Sequence, residues 1–213
     1  MKRKFLLIIV LLLCIGCTKI DNNYNDIIDS VIKNNSNIYN TTSLGYKYYL
    51  PMGVSRIYDK DFNQKFKVND TYIYLYVDIV SYYYKNSINM DDSGGSQDYF
   101  YTRIGSNDDV SGYVKIVKDD DKYFIKVVYN YAKIEAYVNE WDIDNILSYA
   151  MIILDSISYN DKLVESIILD EHYSSAFKEY KIKKPDNTES KFSEYLSEYV
   201  GEEEVRNPSL PEY

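Results

Sequence analysis

Thr71-Tyr72-Ile73-Tyr74-Leu75-Tyr76-Val77-Asp78-Ile79 decides the fold. Apolar aliphatic residues at Ile73, Leu75, Val77 and Ile79 alternate with Tyr72, Tyr74, Tyr76 and Asp78. A period of two sends the first set to one face of a β-strand and the second set to the other. One face is therefore core, and the other is amphipathic. Asn69-Asp70 before this strand is a turn signal, and the same strand-and-turn rhythm continues in both directions. Upstream lie Tyr46–Leu50, the Pro51-Met52-Gly53 turn, Val54–Tyr58 and Phe62–Val68. Downstream lie Tyr99–Ile104, Gly112–Lys118, Lys122–Asn130 and Ala132–Val138. Asp119-Asp120-Asp121 is too short for a parallel crossover, which takes about a dozen residues, so the sheet is expected to be mainly antiparallel.

Helical spacing brackets these strands. Asn25–Asn34 carries Ile27, Ile28, Val31 and Ile32 on one face. Asn139 is positioned to cap a helix with Ile143, Ile146, Leu147, Ala150, Met151, Leu154 and Ile157 along its apolar side. Lys162–Leu169 repeats the spacing, while Asn34–Ser43 and Asn86–Gln97 read as loops. The expected class is α+β, a mainly antiparallel sheet packed with helices as an α/β/α sandwich. Tyr46-Lys47-Tyr48-Tyr49-Leu50-Pro51-Met52-Gly53 opening the sheet, with the helical stretch 145–158 closing it, resembles the PsbP-like fold. Val54 stands where that opening has Trp. The resemblance implies helices on both sheet faces and an accessory or binding role, and it carries no catalytic residue.

The N-terminus reads as an address. Met1-Lys2-Arg3-Lys4 is followed by the apolar run from Phe5 to Ile15 and then by Gly16-Cys17. As a helix the stretch from Phe5 to Cys17 covers roughly 20 Å, short of the ~30 Å hydrocarbon core of a bilayer. Cys14-Ile15-Gly16-Cys17 resembles the lipobox of bacterial lipoproteins, with Cys14 where Leu is usual. The resemblance implies a diacylglyceryl group on Cys17 and attachment at the outer face of the cytoplasmic membrane. An uncleaved signal anchor and a freely secreted product are the other readings. The expected organisation is a signal peptide over 1–16, a lipid-anchored tether over 17–24, one α+β domain over 25–170 and an acidic tail over 171–213. A flexible tether of that length spans on the order of 15 Å, which holds the domain close to the bilayer.

Cleavage before Cys17 would remove three of the 24 bases and no acid, leaving 21 against 33 and a balance of −12. Such a charge disfavours nucleic acid as a partner. It would also leave no thiol in the folded part, which excludes disulfides, zinc–cysteine sites and cysteine nucleophiles. From Asp170 onward the chain carries 11 acids and six bases, with Phe192, Tyr195, Leu196, Tyr199 and Val200 at helical spacing until Pro208 and Pro211. That stripe is suited to docking on a protein partner or on its own domain.

Catalytic signatures are sparse. His172, the single histidine, has no nucleophile-elbow serine motif to serve. Asn89-Met90-Asp91-Asp92-Ser93-Gly94 begins like a calcium loop, but Phe100 occupies the position of the bidentate Glu. No metal or cofactor is expected, and Asp119-Asp120-Asp121 reads as a solvated turn. A carboxylate-dependent hydrolase has no motif to point to its acidic pair. Tyr72, Tyr74 and Tyr76, continued in parity by Tyr82 and Tyr84, are the candidate binding face for a solute, a glycan or a partner peptide. The plainer expectation is that helices cover that face and make the rings ordinary packing. The functional expectation is a non-enzymatic accessory lipoprotein of the cell envelope that binds another envelope protein.

Overall fold

Thr71–Val77 is the fifth of ten strands in a computed structural model of the chain, which describes residues 23–34, 38–60, 62–86, 98–106 and 109–170. In order, the elements are α1 (Tyr24–Lys33), β1 (Thr41–Ser43), β2 (Tyr46–Tyr48), β3 (Ser55–Lys60), β4 (Asn63–Val68), β5 (Thr71–Val77) and α2 (Ile79–Tyr84). There follow β6 (Asp98–Ser106), β7 (Asp109–Asp119), β8 (Lys122–Tyr129), β9 (Ala132–Val138), a 3-10 turn (Glu140–Asp142), α3 (Ile143–Asp155), β10 (Ser158–Tyr159) and α4 (Asp161–Leu169). Seven strands form one antiparallel sheet in the order β3-β4-β5-β9-β8-β7-β6. The class is α+β with a mainly antiparallel sheet packed with helices.

Register follows the alternation. Ile73 pairs with Ala136 and Leu75 with Ile134, which in turn face Ile125 and Val127 across β8. All six are buried on one face of the sheet. Against that face lies α3, whose Ile143, Ile146, Leu147, Ala150, Met151, Ile153 and Leu154 are buried. Each of these side chains larger than alanine contributes about 1.5–3 kcal/mol on leaving water. Tyr24 and Ile28 bring α1 onto α3.

Three local features depart from the sequence reading. The strand pattern does not run on through Tyr84, because Asp78 stops it. The Asp78 carboxylate accepts from the Ser81 N–H at 2.8 Å and from the Ser81 hydroxyl at 2.7 Å, capping α2. Ile79 therefore reaches the core from a helix, and Tyr82 and Tyr84 leave the face of Tyr72. The expected loop over Asn34–Ser43 contains β1, which joins β2 and β10 in a second, three-stranded sheet. Gly45, at φ +84, turns β1 into β2, and its carbonyl accepts from the Asn160 N–H at 2.9 Å. Among the described helices, α3 is the one that packs extensively on the seven-stranded sheet, and it does so on the aliphatic face alone. The second helical layer of the expected α/β/α sandwich is not present among the described residues. The signal peptide 1–16 and the tail 171–213 lie outside the described residues.

The β8–β9 hairpin turns on Asn130-Tyr131, both left-handed at φ 52 and 56. A two-residue turn of this hand matches strand twist but strains residues with a Cβ, asparagine least. The Asn130 side chain donates to the carbonyls of Ile157 at 2.8 Å and Leu154 at 3.3 Å, so the turn is tied to the end of α3. Asn130→Ala should cost about 2–3 kcal/mol, from loss of these bonds plus left-handed strain. Asn130→Gly, free of the strain, should cost about 1 kcal/mol. Urea unfolding of both variants checks the order. Equal losses would show that strain contributes nothing at this turn.

Candidate binding face

The face of the seven-stranded sheet opposite α3 carries the even-numbered side chains of β5, and the pairing extends that set across the sheet. Tyr74 faces Lys65 on one side and Glu135 on the other, and Glu135 faces Lys126. Lys126 faces Lys115, which faces Tyr101. Tyr72, Tyr74 and Tyr76 thus share a face, as the alternation requires. Around them it gathers cations from five strands, among them Lys65 and Lys67 on β4, Lys133 on β9, Lys126 on β8, Lys115 on β7 and Arg103 on β6. Few acids join them. Asp98 lies 3.6 Å from the Lys115 amine, and Glu135 lies 2.9 Å from that of Lys133.

Amines and rings interleave. The Lys65 amine sits 3.7 Å from the Tyr72 ring centroid and 5.6 Å from that of Tyr74, and the Lys126 amine is 5.7 Å from Tyr113. Phe124 and Tyr137 pack at 5.0 Å, and Tyr101 and Tyr113 at 6.0 Å. Tyr72 is 38% exposed, while Tyr74 and Tyr76 are half-buried. Tyr113 is only 2% exposed, and Lys65 and Glu135 are each 7% exposed.

Burial, followed by repulsion from Lys67, pushes the Lys65 amine down to about 7. The Tyr72 ring acts the other way, because its face attracts the ammonium. Both desolvation and the like charge of Lys67 act against the ammonium, and the direction is downward. Burial likewise pushes the Tyr74 hydroxyl well up, helped by neighbouring Tyr72.

A second aromatic group lies at the end of the sheet on the α3 side. Tyr82 stacks on Tyr159 at 3.8 Å and 15°, with Tyr131 edge-on at 5.5 Å and the Lys85 amine 3.6 Å above the ring. Its hydroxyl donates to the Asp161 carboxylate at 2.6 Å, so this group clasps α2 to α4. The cap at Asp78, spaced three residues before Ser81, is the signal that separates these tyrosines from Tyr72.

The other candidates scatter. Asp119 closes the β7–β8 hairpin opposite Lys122, with Asp120 left-handed at φ 54. Phe100 packs edge-on against Tyr24 at 5.0 Å. The calcium-like stretch 89–94, His172, Cys17 and the stripe of Phe192, Tyr195, Leu196 and Tyr199 lie outside the described residues. Among the described residues no three or more His, Cys, Asp or Glu side chains gather as a metal site would require. Among them, too, no helix is long and apolar enough to cross a membrane. No family model and no curated protein matches the chain in sequence.

The buried lysine sets a pH dependence. Its folded value, near 7, lies below the unfolded 10.5, so between the two the unfolded state binds more protons and stability rises with pH. Below about 7 the cost of burying the charge is fully present. Lys65→Met, which keeps the stem and removes the charge, should raise the melting temperature at pH 6 clearly more than at pH 9.5. An equal rise at the two pH values would mean that the amine is not desolvated.

Proposed function

We propose that the chain is a non-enzymatic, lipid-anchored binding protein of the bacterial cell envelope, and that the tyrosine–lysine sheet face receives an acidic segment of an envelope protein. The observation that carries this reading is the segregation of cations among aromatic rings on one face of a chain whose overall charge is −9. Aromatic area with charge-complementary neighbours is what protein recognition surfaces use. A glycan is less well served by it. Sugar rings stack on open aromatic faces, and here amines already lie over Tyr72 and Tyr113. Asp98 and Glu135, two carboxylates of the face, are held in ion pairs with lysines, an arrangement suited to shaping charge more than to moving protons.

The anchor half of the proposal rests on the Lys2-Arg3-Lys4 charge, the apolar run and Gly16-Cys17. Diacylglyceryl attachment at Cys17 would place the domain at the outer face of the cytoplasmic membrane, and the PsbP-like resemblance is consistent with an accessory role there. Cys17→Ser should abolish fatty-acid labelling and release the protein from the membrane fraction. A variant that still incorporates fatty acid overturns the anchor.

For the face, a photoreactive residue at position 72 should crosslink in intact cells to a specific envelope protein. Adding Lys67→Glu and Arg103→Glu, both at exposed positions, should lower recovery of that same protein at least tenfold. Unchanged recovery would remove the face from the binding site.

A further inference from the structure

Antiparallel register gives the seven-stranded sheet two distinct ends. At one of them β3, β5, β8 and β6 start, while β4, β9 and β7 finish. The first residue of α1 sits at that end. The Tyr24 ring lies 5.0 Å from Phe100 and 6.4 Å from Tyr99, near the start of β6, and Tyr99 lies 4.8 Å from Tyr123 at the start of β8. The chain therefore enters the domain here.

Two of the most exposed large apolar side chains belong to the same end. Trp141, the single tryptophan, follows β9 and is 77% exposed, and Met52, just before β3, is 91% exposed. Scattered apolar residues on a surface need no explanation, and the opposite end has one as well in Tyr84, 61% exposed on α2. The point of entry separates the two ends. A tether over 17–24 spans on the order of 15 Å, whereas the eight residues of β8 run about 26 Å from end to end. Lipid on Cys17 thus reaches the Trp141 end with ease and the Tyr84 end only at full stretch. Trp is also the side chain suited to a lipid headgroup layer, with an apolar body and an N–H for the polar side.

Charge selects the lipid. Glu140 and Asp142 flank Trp141, and Asp120 and Asp121 turn β7 into β8 at the same end, with Lys118 and Lys122 beside them. Carboxylates around the tryptophan oppose anionic headgroups and favour those that end in an ammonium. We propose that the anchored domain stands on the bilayer with this end down, Trp141 and Met52 lying among zwitterionic headgroups. The inference rests on the anchor reading and adds an orientation to it. The strands then run away from the membrane, and the tyrosine–lysine face opens sideways along it.

Trp141 makes the test direct, because tryptophan emission reports this end alone. The chain from Cys17 onward has one thiol, and coupling it to a maleimide phospholipid in phosphatidylcholine vesicles reproduces the tether whether or not cells acylate Cys17. Phosphatidylcholine brominated at acyl carbons 6 and 7 should quench the Trp141 emission at least 1.5-fold, and acrylamide quenching should fall at least twofold relative to the uncoupled chain. Moving the probe to the far end with Trp141→Phe and Tyr84→Trp should abolish the bromolipid quenching. Vesicles rich in phosphatidylglycerol should give less than half of the effect on Trp141. No bromolipid quenching of Trp141, or equal quenching at position 84, overturns the orientation, and equal quenching in phosphatidylglycerol overturns the choice of headgroup. Failure of the anchor reads out separately, as absence of fatty-acid labelling at Cys17 in cells.

Discussion

The structure depends on the burial of α3 against the aliphatic parity of the seven-stranded sheet. Seven apolar side chains of one helix share a buried core with Ile73, Leu75, Ile125, Val127 and Ile134, and a register slip of one residue would expose that whole set of strand residues. Once this face is committed to the core, every even-numbered side chain of β5 is committed to the other. The tyrosine–lysine face is thus a geometric consequence of the core, with a composition the core does not dictate. Core packing would be equally satisfied by serine or threonine there, so placing rings and amines on that side adds area and charge that the helix layer does not use.

Around this centre the smaller contacts act as fasteners. Asn130 joins the β8–β9 turn to the carbonyls that end α3, and the Tyr159 hydroxyl donates to the Asn130 carbonyl at 2.7 Å. Ser156 accepts from the Tyr49 N–H and donates to the Ile153 carbonyl, both at 2.9 Å, which brings the three-stranded sheet to the same helix end. Two left-handed non-glycine residues in one turn are tolerated because so many bonds converge on them. Strain at Tyr131 is offset where its ring meets Tyr82 and its carbonyl accepts from the Asp78 N–H at 2.9 Å.

How much of this was legible depended on whether the relevant signal was periodic or conformational. Strict alternation from Tyr72 to Val77 and the apolar stripe from Ile143 to Leu154 were plain in the sequence, and both fall where the pattern put them. The end of β5 was hidden because Ile79 continues the period of two. Only the hydrogen bond from Ser81 to Asp78, a conformational event, turns the chain into a helix. The short strands β1 and β10, at three and two residues, carry too few side chains to show any period. For the candidate face, the shared parity of Tyr72, Tyr74 and Tyr76 was readable. Its cations were not, since Lys65, Lys126 and Lys133 come from three other strands and meet the rings only through register.

That distribution changes what the net charge means. A balance of −9 describes the field far from the molecule, but at physiological ionic strength interactions fade over about 8 Å. A ligand at the sheet surface responds to the nearest lysines more than to acids on the far side of the domain. An acidic chain can therefore repel anions at long range and still hold one at this face, provided that the anion arrives on a carrier that brings it within that distance. An acidic segment carried on a protein with a less anionic surface meets that condition. Free polyanions in solution do not, which makes the face selective by delivery as well as by contact.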